Sequence, residues 1–241
     1  MINYSEYSFI IIILSLINIF VLFIASKYTK IFTDGKSETV RKIHSKNIIK
    51  VGGISFFSLM YLFSVLHETL LINLLYLSFL FLFIGIIADL YSSFSSYIRL
   101  VIMIFFIGLF IVLNEFSISN INIQIIDQIL TEYKNISILF TLICLMISVN
   151  GFNFIDGNHG LMLGTSLIIL INFLLNINLI ESTEIIVLIE SLLIASIILF
   201  LFNFITGRII AGDAGSYFVG ILIGSIAIYL KNNDLLSSFH I

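Results

Sequence analysis

Charge is what this sequence has least of. Asp, Glu, Lys and Arg make up 10% of its 241 residues, against about 25% in soluble domains. Too few polar side chains remain to cover a water-facing surface. The chain therefore reads as an integral membrane protein, in keeping with a hydrophobic content of 60% and a mean hydropathy of +1.18. The alternating segments of about ten residues that mark a transmembrane barrel are lacking, and the long apolar runs favour helices. Proline and tryptophan are absent, so an interfacial aromatic belt has to be built from Tyr and Phe. The single cysteine, Cys144, lies in an apolar run. It excludes an internal disulfide and a thiolate metal cluster, and it reads as a small buried residue. The net charge of −3 carries no message, and no nucleic-acid partner is expected.

A spanning helix needs about 20 apolar residues. Eight segments are candidates: 8–26, 51–66, 70–88, 99–113, 136–152, 161–180, 184–202 and 214–230, the second and fourth being short. The expected fold is all-α, a polytopic membrane bundle of about eight transmembrane helices forming one integral membrane domain over residues 1–241. The first segment has no basic stretch before it and no small-residue cleavage site, so it reads as a retained helix. If the segments alternate across the bilayer, the loops at 27–50, 89–98, 153–160 and 203–213 share one side. That side holds Lys27, Lys30, Lys36, Arg41, Lys42, Lys46, Lys50, Arg99 and Arg208, and the other holds only Lys134 and Lys231. Such an excess places the first side in the cytoplasm, which gives a multi-pass protein of the inner (cytoplasmic) membrane. In the outer loop at 114–135, Ile121, Ile123 and Ile125 alternate with polar residues. That pattern suggests a short external β-hairpin or an interfacial strand.

One polar run interrupts the apolar background. Between Asn150 and Gly160 lie three glycines, three asparagines, Asp156 and His159. An ionisable residue in or beside a bilayer costs at least about 2.5 kcal/mol and is a functional candidate by default. The same expected face carries two more single aspartates at helix ends, Asp89 and Asp213. Three converging carboxylates make a hard-oxygen site suited to Mg²⁺. Gly157, Gly160, Gly212 and Gly215 let backbone N–H groups approach an anion at helix N-termini, and the basic loop offers Lys and Arg to phosphate. This is the equipment of phosphoryl transfer, in which positioning and charge neutralisation dominate. Access from the bilayer suits a lipid phosphate. Plainer readings stand beside these. Asp156 and Asp213 could be helix caps, Asn153 and Asn203 could bond between helices, and the basic loop could report topology alone.

The motifs carry a resemblance. Arg41-Lys-Ile-His44 before Gly52-Gly53, Gly85-Ile-Ile-Ala-Asp89 followed by Arg99, Asn150-Gly-Phe-Asn153-Phe-Ile-Asp156-Gly157, and Asn203 before Gly212-Asp213-Ala-Gly-Ser216 occur in this order. Over residues 10–230 they resemble the polyprenyl-phosphate N-acetylhexosamine-1-phosphate transferases, the family that includes phospho-N-acetylmuramoyl-pentapeptide transferase. The resemblance implies that N-acetylhexosamine-1-phosphate passes from a UDP-N-acetylhexosamine to an undecaprenyl-type polyprenyl phosphate, releasing UMP and initiating lipid-linked glycan synthesis. It implies a requirement for Mg²⁺, with Mn²⁺ a possible substitute. It implies Asp213 as a metal ligand, Asn153 lending an amide oxygen to the same ion, and Asp89 and Asp156 as catalytic carboxylates. Arg41, Lys42, His44, Asn150, His159 and Asn203 are implied to bind substrate, and a homodimer is a possible assembly.

The sequence departs from the family's pattern at three points. Ala88 stands where the family has the first Asp of a pair, and His159 stands where many relatives have a carboxylate. The family's last helices and His-rich loop are expected to be absent. A catalytically impaired, truncated homologue is therefore a rival reading. A second rival, an ion-coupled transporter, predicts acids near the bilayer midplane. The transferase predicts Asp89, Asp156 and Asp213 clustered at the membrane boundary, within about 12 Å of one another.

Overall fold

The structure is a computed structural model and describes residues 4–28, 52–91, 93–156, 160–177, 183–206 and 209–235. Among the described residues there are nine helices and no strand. They are α1 (Tyr4–Tyr28), a 3-10 helix η1 (Gly52–Ser64), α2 (Thr69–Leu90), α3 (Ser96–Leu113), α4 (Gln124–Glu132), α5 (Lys134–Ile155), α6 (Leu161–Asn176), α7 (Thr183–Thr206) and α8 (Gly212–Asn232). All eight expected spans are helical, and the protein is an all-α, multi-pass membrane bundle. Six helices (α1, α2, α3, α5, α7 and α8) are long and apolar enough to cross a membrane, while η1 and α6 are shorter.

The geometry of η1 follows from its anchors. At one end the Gly52 and Gly53 N–H groups donate to the Ile210 and Ala211 carbonyls, both at 2.9 Å. Just past the other end, the N–H groups of His67 and Glu68 donate to Glu184 Oε2, both at 2.8 Å. A 3-10 helix rises about 2.0 Å per residue, so 13 residues cover about 26 Å, where an α-helix rising 1.5 Å per residue would cover about 20 Å. The longer rise lets a short segment reach both anchors.

These anchors also define two faces. Around the start of α8 lie the start of η1, the ends of α2 and α5 and the start of α3. At the opposite end, Tyr229 of α8 donates to Glu68 at 2.8 Å, Asn73 donates to Asn114 at 2.7 Å, and Asn232 donates to the Ser117 carbonyl at 3.1 Å. The helices alternate as the sequence requires, with Arg99 on the first face and Lys134 and Lys231 on the second. The loop at 29–51 and Arg208 lie outside the described residues.

Helix α8 is the axis of the bundle. Most of its residues are buried, α2 and α5 pack along it, and η1 completes its wall. The Phe218 ring stacks on Phe56 with centroids 5.1 Å apart and tilts against Phe79 at 5.3 Å. Small residues bring the backbones close, as is common between membrane helices. A Cβ on Gly85 would fall 2.4 Å from Ala214 Cα, so α2 can lie this near α8 only with glycine there. Outside this core, α1 leans on η1 and α7, α6 on α7, and α3 on α5.

The external β-hairpin is corrected by the structure. The second half of that loop is α4, and its first half runs without a strand partner among the described residues. The Ile118 N–H donates to Thr141 Oγ1 at 2.8 Å, and the Ile118 carbonyl accepts from Ser137 Oγ at 2.6 Å. Asp127 Oδ1 accepts the Ile121 N–H at 2.7 Å. Side chains of α5 and α4 thus take the backbone groups that a hairpin would pair. In α4, Ile126 and Leu130 are four residues apart and face inward together.

Candidate active site

The first turn of any α-helix leaves backbone N–H groups without partners. Helix α8 opens at Gly212, whose φ of 71° suits glycine, and no local side chain caps it. Two distant aspartates do so instead. Asp156, just past the end of α5, accepts the Gly212 N–H at 2.8 Å through Oδ2. Asp89, at the end of α2, accepts the N–H of Asp213 at 3.1 Å through Oδ1 and that of Ala214 at 3.0 Å through Oδ2. The helix N-terminus that sequence reasoning offered to a substrate anion is therefore already occupied by protein carboxylates. Asp156 does act as a cap, but for another helix.

Asp213 engages a different set. Asn153 Nδ2 donates to Asp213 Oδ1 at 2.6 Å and to Ser216 Oγ at 2.9 Å. Arg99 forms a short ion pair with Asp213 Oδ2, and it also donates to Tyr217 OH and to Ser96 Oγ, both at 2.9 Å. Because Asp89 and Asp156 bind consecutive backbone N–H groups, covalent geometry keeps their bonded oxygens within about 10 Å of each other. Asp213 sits on the same turn. The three aspartates thus converge at helix ends.

Three carboxylates gather at this corner, and the Arg99 guanidinium pairs with Asp213. The Asp156 carboxyl is pushed well above the ordinary carboxylate range, first by burial and then by the charges of Asp89 and Asp213, while its bond from Gly212 opposes the shift. Among the described residues no three His, Cys, Asp or Glu side chains gather to hold an ion by themselves. Mg²⁺ usually takes only one or two carboxylates and completes its shell with substrate phosphates and water. Asp213 fits that mode. So does Asp156, whose second oxygen has no partner among the described residues. Asn153 turns its amide nitrogen, not its oxygen, toward Asp213, so here it steadies the carboxylate.

The remaining residues singled out by sequence divide into three groups. Asn203 is buried, donates to the Ile209 carbonyl at 2.5 Å, and has a buried Oδ1 with no partner among the described residues. It lies beside Gly160, where a Cβ would come 3.8 Å from that oxygen. Asn150 is exposed and bonds back to the Met146 carbonyl of its own helix at 2.8 Å, apart from the aspartates' contacts. Arg41, Lys42, His44 and His159 lie outside the described residues. Sequence reasoning gave no role to Tyr217 or Ser96 and treated Arg99 only as a motif neighbour. Arg99 had a readable signal, since it is the one basic residue of the loop at 89–98 and its helix edge. Tyr217 had only its place beside Ser216.

Residues 71–231 match the sequence profile of the family described as glycosyl transferase family 4. The match covers about two thirds of the chain and runs from α2 to α8, taking in all three aspartates and Arg99. The chain belongs to glycosyl transferase family 4. Membership makes it a membrane sugar-phosphate transferase with a polyprenyl phosphate as acceptor. No curated protein matches the chain. Within this family-4 chain, the matched region is the part built around α8, and α1 and η1 precede it.

Proposed function

We propose that this chain transfers N-acetylhexosamine-1-phosphate from a UDP-sugar to an undecaprenyl-type phosphate at the cytoplasmic face of the inner membrane, with Mg²⁺ as cofactor. The observation that carries the proposal is the convergence of Asp89, Asp156 and Asp213 with Arg99 on the first turn of α8. The partition of basic residues supports the cytoplasmic orientation.

In this reading an oxygen of the lipid phosphate attacks the phosphorus that bears the sugar. A new P–O bond forms, the bond to the bridging oxygen of the pyrophosphate breaks, and UMP leaves with that electron pair. A phosphate monoester has a second pKa of about 6, so the acceptor arrives ionised and no protein base is required. Asp213 and Asp156 would hold Mg²⁺, which would supply neutralisation of the pyrophosphate charge. Asn153 keeps Asp213 in register. Asp89 and Asp156 fix the first turn of α8 and thereby the position of Asp213. Arg99 adds positive charge at the same corner, as phosphoryl transfer requires. Asn203, whose buried Oδ1 has no partner among the described residues, is proposed as a further substrate contact.

The test uses membranes containing the full chain, undecaprenyl phosphate, Mg²⁺ and a radiolabelled UDP-N-acetylhexosamine. Labelled lipid and UMP are expected in equal amounts, and EDTA is expected to stop both. Absence of labelled lipid across the UDP-N-acetylhexosamines would overturn the proposal.

A further inference from the structure

We infer that Tyr217 is a substrate-contacting residue of this site, its phenolic O–H donating to a phosphoryl oxygen. The inference rests on the transferase reading above. Tyr217 lies in the first turns of α8 and is 5% exposed. Its oxygen accepts a hydrogen bond from Arg99 Nη1 at 2.9 Å. A phenol also carries a proton to donate, and no described residue accepts that of Tyr217. Two other paired tyrosines behave differently. Tyr229 gives its proton to Glu68 and Tyr7 gives its proton to Glu190. Buried donors without acceptors are rare in folded proteins, yet a second one lies in the same group, since Arg99 Nε is buried and also has no partner among the described residues.

Two of the three carboxylates of the cluster already receive a donor at each oxygen. Both Asp89 oxygens receive backbone N–H groups of α8, and both Asp213 oxygens receive Asn153 and Arg99. No described residue supplies the missing acceptor, and its place suits a bound ligand. Next to a guanidinium, that acceptor is best an anionic oxygen, because charge-assisted bonds are the strong ones. Phosphoryl oxygen is the anionic group that both proposed substrates bring. A phenylalanine would fill the same space, so the hydroxyl is free to serve the ligand and not the packing.

The test compares wild type with Tyr217→Phe and Ser96→Ala in the full purified chain. Initial rates are measured against undecaprenyl phosphate and against the UDP-sugar. Thermal stabilisation by inorganic pyrophosphate is measured in parallel, without turnover. Tyr217→Phe is expected to raise the KM for one substrate about tenfold, the loss of one charge-assisted bond, and to weaken stabilisation by pyrophosphate. A rise for the lipid assigns the contact to the acceptor phosphate, and a rise for the UDP-sugar assigns it to the donor. Ser96→Ala loosens Arg99 without removing the phenol and is expected to have the smaller effect. Unchanged KM values with unchanged pyrophosphate stabilisation overturn the inference, as does an equal effect from Ser96→Ala. If wild type makes no labelled lipid but pyrophosphate stabilises it more than it stabilises Tyr217→Phe, the transferase reading falls and the phosphate contact stands.

Discussion

Both faces of the bundle place carboxylates at helix ends, but they use them differently. On the face away from the site, Glu184 receives two backbone N–H groups, Glu68 receives one phenol, and Glu115 pairs with Lys134 across an exposed gap of 3.2 Å. Glu68 and Glu184 are neighbours there, and each of the three named acids has its own donor. On the site face three aspartates from three elements crowd one helix turn, with Arg99 paired to Asp213, and donors of Arg99 and Tyr217 have no acceptor among the described residues. A carboxylate at a helix end is therefore not in itself a sign of function. Crowding of like charge, with buried donors that lack acceptors, is.

That contrast can be probed by substitutions on each face, read by thermal or denaturant unfolding in one detergent. The largest loss is expected for Asp89→Ala, which strands two partly buried N–H groups of α8 and should cost about 2–4 kcal/mol. Asp89→Asn keeps an acceptor oxygen and should cost about half as much. Equal losses for the two would show that the negative charge of Asp89, rather than its bonds to α8, holds the helix. Gly85→Ala comes next, at about 1–3 kcal/mol, because the new methyl meets Ala214 backbone that cannot yield. On the opposite face Tyr229→Phe removes one phenol bond to Glu68 and should cost about 1 kcal/mol. The smallest effect belongs to Lys134→Ala, under about 0.5 kcal/mol, since both members of its ion pair are well exposed. If the two faces lost stability equally, the distinction drawn between them would be wrong.

Much of this could be read from the chain itself, for identifiable reasons. Scarce charge makes each retained charge informative, so Asp89, Asp156 and Asp213 could be picked out before any coordinates, and the basic residues fixed the alternation that the contacts reproduce. Length in apolar residues located eight helices, six of them long enough to cross a membrane, but it could not show that η1 would take the longer rise of a 3-10 helix, because its two anchors lie far away in sequence. The hairpin expectation failed because alternation at Ile121, Ile123 and Ile125 describes one face of a strand without supplying a partner. Thr141, Ser137 and Asp127 had already taken the backbone groups concerned. The tertiary capping of α8 by Asp89 and Asp156 was equally out of reach, since no spacing rule links residues more than fifty positions apart. Tyr217 was missed because an aromatic residue in an apolar helix looks like core until its oxygen is seen against Arg99.

The central claim is that the crowded face, and not its counterpart, transfers sugar phosphate. The most direct test is labelled-lipid formation by Asp213→Asn beside Glu184→Gln, with both proteins shown to be folded. The account predicts a loss of about 100-fold or more for Asp213→Asn and wild-type labelling for Glu184→Gln. Wild-type labelling by Asp213→Asn would contradict it.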